Sequence, residues 1–230
     1  MKFLLTSAGV FNKSIRDALV DLLGKPIAES SALFIPTGSY GFMPGGIYGA
    51  YQMIHGVAKT PLCELGWKSL GVLELTALPS IKKESWVPEI ERTDALLVGG
   101  GYAPYLCYWM RQSGLADLLP TLRHEAVYVG VSAGSMAATP SFGEPSWWIA
   151  NYNARNPPTA ESEALGLVDF SLLPHMDNIG MPDNSMANFE KLAAKIPVPT
   201  YAIDDQTAIK VTDGKIEVVS EGHWKRFTPL

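Results

Sequence analysis

Cysteine, histidine and clustered positive charge are all scarce in this chain of 230 residues, and each shortage closes off a class of function. Two cysteines, Cys63 and Cys107, are too few for a disulfide framework or a cysteine-ligated zinc site, so both read as small buried hydrophobes. The 18 Lys and Arg stand against 23 Asp and Glu, a net charge of -5, with no basic run to neutralise phosphates. A nucleic-acid partner is therefore not expected. No stretch approaches the ~18 consecutive apolar residues of a membrane span. The segment from Met1 to Thr6 carries one positive charge and too short an apolar run for a signal sequence. These absences together point to a cytoplasmic protein without a membrane partner. Internal repeats, low-complexity tracts and convincing linkers are missing too. Its 47% hydrophobic, 10% aromatic and 18% charged residues suit one globular domain spanning 1–230.

What is present is an alternation of short apolar runs and amphipathic segments. Runs at 3–7, 32–35, 71–75, 95–98 and 126–131 read as buried strands, most of them closed by Gly, Pro or Ser. Between them, 14–23 repeats apolar residues at helical spacing before Gly24 and Pro26, and a second helix is expected from Pro104 to about Leu119. Continuous apolar strands separated by helices predict an α/β fold, a mainly parallel sheet with helices on both faces. In such sheets ligands sit beyond the carboxyl ends of the strands, where the turns after Val98 and Val131 fall. Beyond Pro140 comes a turn-rich stretch containing Trp147, Trp148, Pro157 and Pro158. Regular structure is expected again at 167–173, in a helix around 185–195 and in a strand at 201–203. Asp213-Gly214 between 208–211 and 216–219 predicts a C-terminal β-hairpin.

Gly130-Val131-Ser132-Ala133-Gly134 fits GxSxG in a meaningful context, a buried strand before it and small residues after it. A nucleophile elbow needs a sharp strand-to-helix turn, and flanking glycines remove the Cβ atoms that would collide. The plainer alternative is a βα turn with a capping serine. Ser135 is a rival hydroxyl, expected to satisfy backbone groups in the first helical turn. Serine needs a base, and there are four histidines. His175 follows an apolar run that ends near the elbow. His124 belongs at the opposite edge of the sheet, His55 lies in an expected helix, and His223 follows the hairpin. His175 is the candidate base. The carboxylate that orients it is sought first at Asp205, just beyond the strand 201–203, with Asp177 and Asp204 as alternatives. Oxyanion donors are expected from the N–H of Ala133 and from the loop Gly99-Gly100-Gly101.

Serine, histidine and acid in that chain order differ from the α/β-hydrolases, chymotrypsin and subtilisin. With Leu97-Val98-Gly99-Gly100-Gly101, Leu173-Pro174-His175 and Ala202-Ile203-Asp204-Asp205, the chain resembles the peptidase E (aspartyl dipeptidase) family of serine peptidases, relatives of the cyanophycinases, from its first strand to about Val211. The resemblance implies a fold similar to class I glutamine amidotransferases, with Ser132 as nucleophile, His175 as base and Gly101 with Ala133 as oxyanion donors. Asp205 falls where the family carries a glutamate, one methylene longer. Asp177 matches the His-x-Glu arrangement of the amidotransferases. Two departures concern substrate. Tyr102-Ala103-Pro104 stands where family members usually have Asn-Thr, and residues 177–188 contain no Arg or Lys. A strict preference for an N-terminal aspartate is thus not expected, since a desolvated carboxylate needs a cationic partner. Arg111 and Arg155 are the other cations considered. The segments 40–51 and 147–158 read equally as substrate-facing walls or as packing and dimer contacts.

The expected activity is that of a serine peptidase cleaving small peptides, with no metal or organic cofactor, and a homo-oligomer is compatible with it. Another amidase or esterase on the same scaffold, or a non-catalytic binding protein, are the competing readings.

Overall fold

A computed structural model of the chain describes residues 1–41, 45–122, 125–143 and 164–229. Five strands run parallel: β1 (Lys2–Thr6), β2 (Ser31–Ile35), β3 (Ser69–Val72), β4 (Ala95–Val98) and β5 (Val127–Val131). Two more, β8 (Thr207–Thr212) and β9 (Lys215–Ser220), extend the sheet antiparallel, giving the order β3-β2-β4-β5-β1-β8-β9. The turn between β8 and β9 has Asp213 at φ 49° and Gly214 at φ 75°, the two positive φ angles that a tight two-residue turn demands. A smaller sheet contains β6 (Ser171–Leu173), β7 (Thr200–Ile203) and β10 (Trp224–Phe227), in the order β10-β7-β6.

The period-two alternation of the central strands divides the core. Phe3, Leu5, Leu96, Val98 and Tyr128 pack on one face with α3 (Lys83–Arg92), α4 (Ala103–Gln112) and α6 (Ala133–Ala137). Leu4, Ala95, Leu97, Val127, Val129 and Val131 pack on the other with α1 (Lys13–Leu23) and α2 (Gly46–Ile54). Helix α1 shows how local signals agree with this packing. Asn12 caps its start by accepting from the Ile15 N–H at 2.9 Å, Gly24 ends it at φ 68°, and Ile15, Ala18, Leu19 and Leu22 form its buried stripe. Helix α7 (Met186–Ala193), capped by Ser185, packs Phe189 and Ala193 on Leu173 and Ala202 of the small sheet.

The elements differ from the sequence expectation in several places. The helix expected over 104–119 is two, α4 and α5 (Leu115–Leu118), because Gly114 takes a left-handed φ of 79° between them. The third strand is not the buried run 71–75 but a strand at 69–72, paired among the described residues with β2 alone, and Leu73 and Leu75 enter the core beyond its end. Of 167–173 only Ser171–Leu173 is strand. Helix α3 carries Pro88 in its interior, and β10 sets two adjacent charged residues between two aromatics, so neither gave a clear periodic signal.

Topology decides which loops meet. Residues Thr6 of β1 and Val131 of β5 are register partners, so both strands end at one rim. Strand β8 runs the other way, and its first residues lie beside the same end of β1. The chain crosses from the small sheet to the large one between Ile203 and Thr207, which brings the turn at 204–206 to that rim.

Behind the rim, the hydroxyl of fully buried Tyr128 donates to the Gly134 carbonyl at 2.7 Å. Tyr128→Phe is expected to lower stability by about 1–2 kcal/mol, the cost of leaving a buried carbonyl short of a partner. A urea midpoint equal to wild type at unchanged m-value would contradict this.

Candidate active site

Ser132 stands between β5 and α6 at φ 51°, ψ -111°, a backbone conformation rarely adopted by a residue with a Cβ. The surroundings hold it there. Its N–H donates to the Thr6 carbonyl at 3.0 Å, and the Thr6 hydroxyl donates to the Gly130 carbonyl at 2.7 Å. Gly134 is required by close approach, since a Cβ on it would lie 2.1 Å from the Val98 carbonyl oxygen. Ser135 is fully buried, and its hydroxyl donates to Thr6 O at 2.7 Å. Its partner is therefore the neighbouring strand rather than the first helical turn.

His175 follows β6 after Pro174 and also has a left-handed backbone, φ 62°. Its Nε2 lies 2.8 Å from Ser132 Oγ and its Nδ1 2.7 Å from Asp205 Oδ1. An ionised carboxylate only accepts, so Nδ1 carries the hydrogen facing Asp205, and Nε2 of the neutral ring accepts from the Ser132 hydroxyl. Asp205 is mostly buried. Burial pushes its pKa up, but hydrogen bonds from His175 and Ser7, the electrostatic influence of the adjacent imidazole and a hydrogen bond from Asn178 outweigh that and hold it at about 2. The Ser7 hydroxyl is 2.7 Å from Oδ1, and the Asn178 amide is 2.6 Å from Oδ2. Sequence reasoning passed over both residues, since a lone hydroxyl or amide in a turn carries no spacing signal.

The other candidates lie elsewhere. Asp177 accepts from the Met186 N–H at 3.0 Å and meets His223 Nε2 at 3.1 Å. Asp204 accepts from the Thr207 hydroxyl at 2.6 Å and from the Gln206 and His223 N–H groups at 3.1 and 2.8 Å, and also meets His223 Nδ1 at 2.9 Å. Both acids thus fasten turns and the start of β10 rather than His175. His55 is the cap at the end of α2, stacked on Tyr51 at 3.9 Å and donating to the Tyr51 carbonyl. The Arg111 guanidinium donates to the Ala164 carbonyl at 2.8 Å. His124, Arg155, the segment 147–158 and part of 40–51 fall outside the described residues.

The glycine loop after β4 passes directly beside the serine: a Cβ on Gly100 would lie 3.5 Å from Ser132 Cβ. Gly101 sits at φ 137°, and a Cβ there would come within 2.1 Å of the Gly38 carbonyl, so only glycine suits it. Ala133 opens α6, where the first N–H groups have no partner within the helix. Both cysteines are buried, which pushes their thiols up to about 12 and makes them poor nucleophiles. Among the described residues no group of three His, Cys, Asp or Glu is arranged to hold a metal ion, and no helix is long and apolar enough to cross a membrane.

A family model, peptidase family S51, matches residues 3–219. Curated relatives include uncharacterized peptidases of Listeria monocytogenes, 27% identical over 53% of this chain and 58% of the relative, and of Pasteurella multocida, 25% identical over 54% and 59%. The chain therefore spans somewhat under two thirds of the length of these relatives. Solved structures that share the fold include two of peptidases. One, from Listeria monocytogenes EGD-e and provisionally described as peptidase E, has a TM-score of 0.66 at 19% identity, covering 96% of this chain and 98% of that one. The other, a peptidase from an acI-B1 Actinobacterium, has a TM-score of 0.59 at 16% identity, covering 99% and 94%.

The carboxyl of Asp205 has a folded pKa of about 2 against an ordinary 3.8, so ionised Asp205 favours the folded state above pH 3.8, and that contribution disappears as pH falls towards 2. It corresponds to about 2 kcal/mol. Wild type should accordingly lose more stability than Asp205→Asn between pH 4 and pH 2, measured by denaturant unfolding at each pH. Parallel profiles would show that the carboxylate gains nothing from its partners.

Proposed function

The chain belongs to peptidase family S51, and from that premise we propose that it is a serine peptidase hydrolysing the amide bonds of small peptides, dipeptidase-like, through Ser132, His175 and Asp205. The observation that carries this reading is the unbroken hydrogen-bonded line from Ser132 Oγ through both ring nitrogens of His175 to Asp205 Oδ1, at 2.8 and 2.7 Å. As Ser132 Oγ attacks the carbonyl carbon, its proton passes to His175 Nε2, and Asp205 steadies the imidazolium that forms. The N–H groups of Ala133 and Gly101 donate hydrogen bonds to the carbonyl oxygen as negative charge develops on it. His175 then returns the proton to the leaving amine as the C–N bond breaks, giving an acyl-enzyme. A water, deprotonated by the same ring, releases the acid and restores the serine.

This chemistry draws on the protein's own base, acid and donors and calls for no metal or organic cofactor. The likeness in architecture extends, in our reading, to class I glutamine amidotransferases with serine in place of cysteine. We expect a cytoplasmic enzyme without strict preference for an N-terminal aspartate. The reason is that 177–188 supplies no cation and the Arg111 side chain is engaged on Ala164.

Hydrolysis of a dipeptide library, with simple esters alongside, measures the activity and separates a peptidase from another amidase or esterase. Ser132→Ala should reduce kcat/KM by about 1000-fold or more. It should also abolish labelling by a fluorophosphonate probe. Full hydrolysis by the purified variant would overturn the assignment.

A further inference from the structure

Ser7 lies at the carboxyl end of β1 and has no part in the chemistry above, yet it is fully buried and its hydroxyl touches both the acid and the base. Its Oγ is 2.7 Å from Asp205 Oδ1, 2.8 Å from the His175 backbone nitrogen and 3.3 Å from His175 Nδ1. A hydroxyl has one hydrogen, and its neighbours decide where that hydrogen points. The His175 amide can only donate, so it takes a lone pair of Oγ. The Asp205 carboxylate can only accept, so it receives the hydroxyl hydrogen. Nδ1 is the most distant of the three neighbours and is itself committed to Asp205 at 2.7 Å. The contacts close a ring that starts at the His175 amide, runs through Ser7 Oγ and Asp205 Oδ1, and returns to Nδ1 of the same histidine.

We infer that Ser7 is a positioning residue: by closing this ring it fixes the rotation of the His175 imidazole so that Nε2 faces Ser132. This rests on reading Ser132, His175 and Asp205 as the reacting set. Two further observations favour it. The hydrogen bond that the His175 N–H donates to Ser7 Oγ restrains a histidine backbone at φ 62°, which residues with a Cβ leave unless they are held. The Asn178 side-chain amide donates to Asp205 Oδ2 and its backbone N–H to the His175 carbonyl at 3.2 Å, whereas a single atom, Ser7 Oγ, joins the His175 amide to the Oδ1 that holds the imidazole. An imidazole displaced by about 1 Å can cost on the order of 100-fold in rate.

The test uses the full chain and needs no knowledge of the substrate. The second-order rate at which a fluorophosphonate labels Ser132 reports how well the serine is activated, and the low-field proton resonance of the His175 Nδ1–H reports the bond to Asp205. Ser7→Ala should fold, label about 10- to 100-fold more slowly, and shift or broaden that resonance. A residue of merely structural importance would lower the melting temperature and leave both readouts of the folded protein unchanged. That result in Ser7→Ala overturns the inference. Should Ser7→Ala fail to fold, Ser7→Cys, with a weaker donor in a similar volume, is expected to label at an intermediate rate, and a wild-type rate there overturns it equally. Failure of the underlying reading looks different: wild type is not labelled, or labelling persists in Ser132→Ala.

Discussion

The Thr6 carbonyl accepts two hydrogen bonds, from the Ser132 N–H at 3.0 Å and the Ser135 hydroxyl at 2.7 Å, while the next residue, Ser7, bonds to Asp205 and to His175. One dipeptide at the end of β1 is thus fastened to both halves of the site. Its place in the sheet makes this possible. Strand β1 lies between β5, which delivers Ser132, and β8, whose reversed direction makes it start at the same rim, directly after Asp205. A strand order with β1 at an edge would leave one partner unreachable. The parallel-to-antiparallel switch at β1 is therefore the topological condition on which the arrangement depends.

Around that condition the energetics divide in a simple way. The central strands bury apolar residues on both faces, supplying the rigidity that long-range placement needs. The rim holds polar groups whose burial would be unfavourable if they were unpaired, and the hydrogen bonds around Asp205 satisfy them. Asp177, Asp204 and His223 form a separate set close by. They tie the loop after β6, the turn before β8 and the start of β10 to one another. Each of the two acids is close in sequence to a candidate reacting residue but is spent on holding the backbone that carries it.

Much of the large sheet was legible because parallel strands, covered by helices on both sides, leave uninterrupted apolar runs such as Ala95–Val98. Its edge was not, for β3 is paired on one side only among the described residues and exposes Leu70 and Val72. The small sheet was harder still: β6 has three residues, and β10 reads Trp-Lys-Arg-Phe, a pattern without a buried face of its own. For the site, the GxSxG spacing had a steric cause visible in the sequence, and the Gly134 contact with Val98 is that cause. The sequence left Asp177, Asp204 and Asp205 open because all three are acids in turns, and only their partners in space distinguish them. Ser7 left no trace, since its importance lies wholly in contacts with residues 168 and 198 positions away.

Three residues at the rim with a Cβ, Ser132, His175 and Asp177, hold left-handed backbones. Each such conformation costs on the order of 1–2 kcal/mol relative to an ordinary one. For anyone engineering heat tolerance, these residues are not equivalent. At residue 177 asparagine tolerates the conformation and keeps an oxygen for the Met186 N–H, whereas glycine would ease the backbone only by removing the carboxylate that fastens this turn. The same tension at 132 and 175 cannot be relieved by glycine without deleting the very side chains that the fold is strained to present.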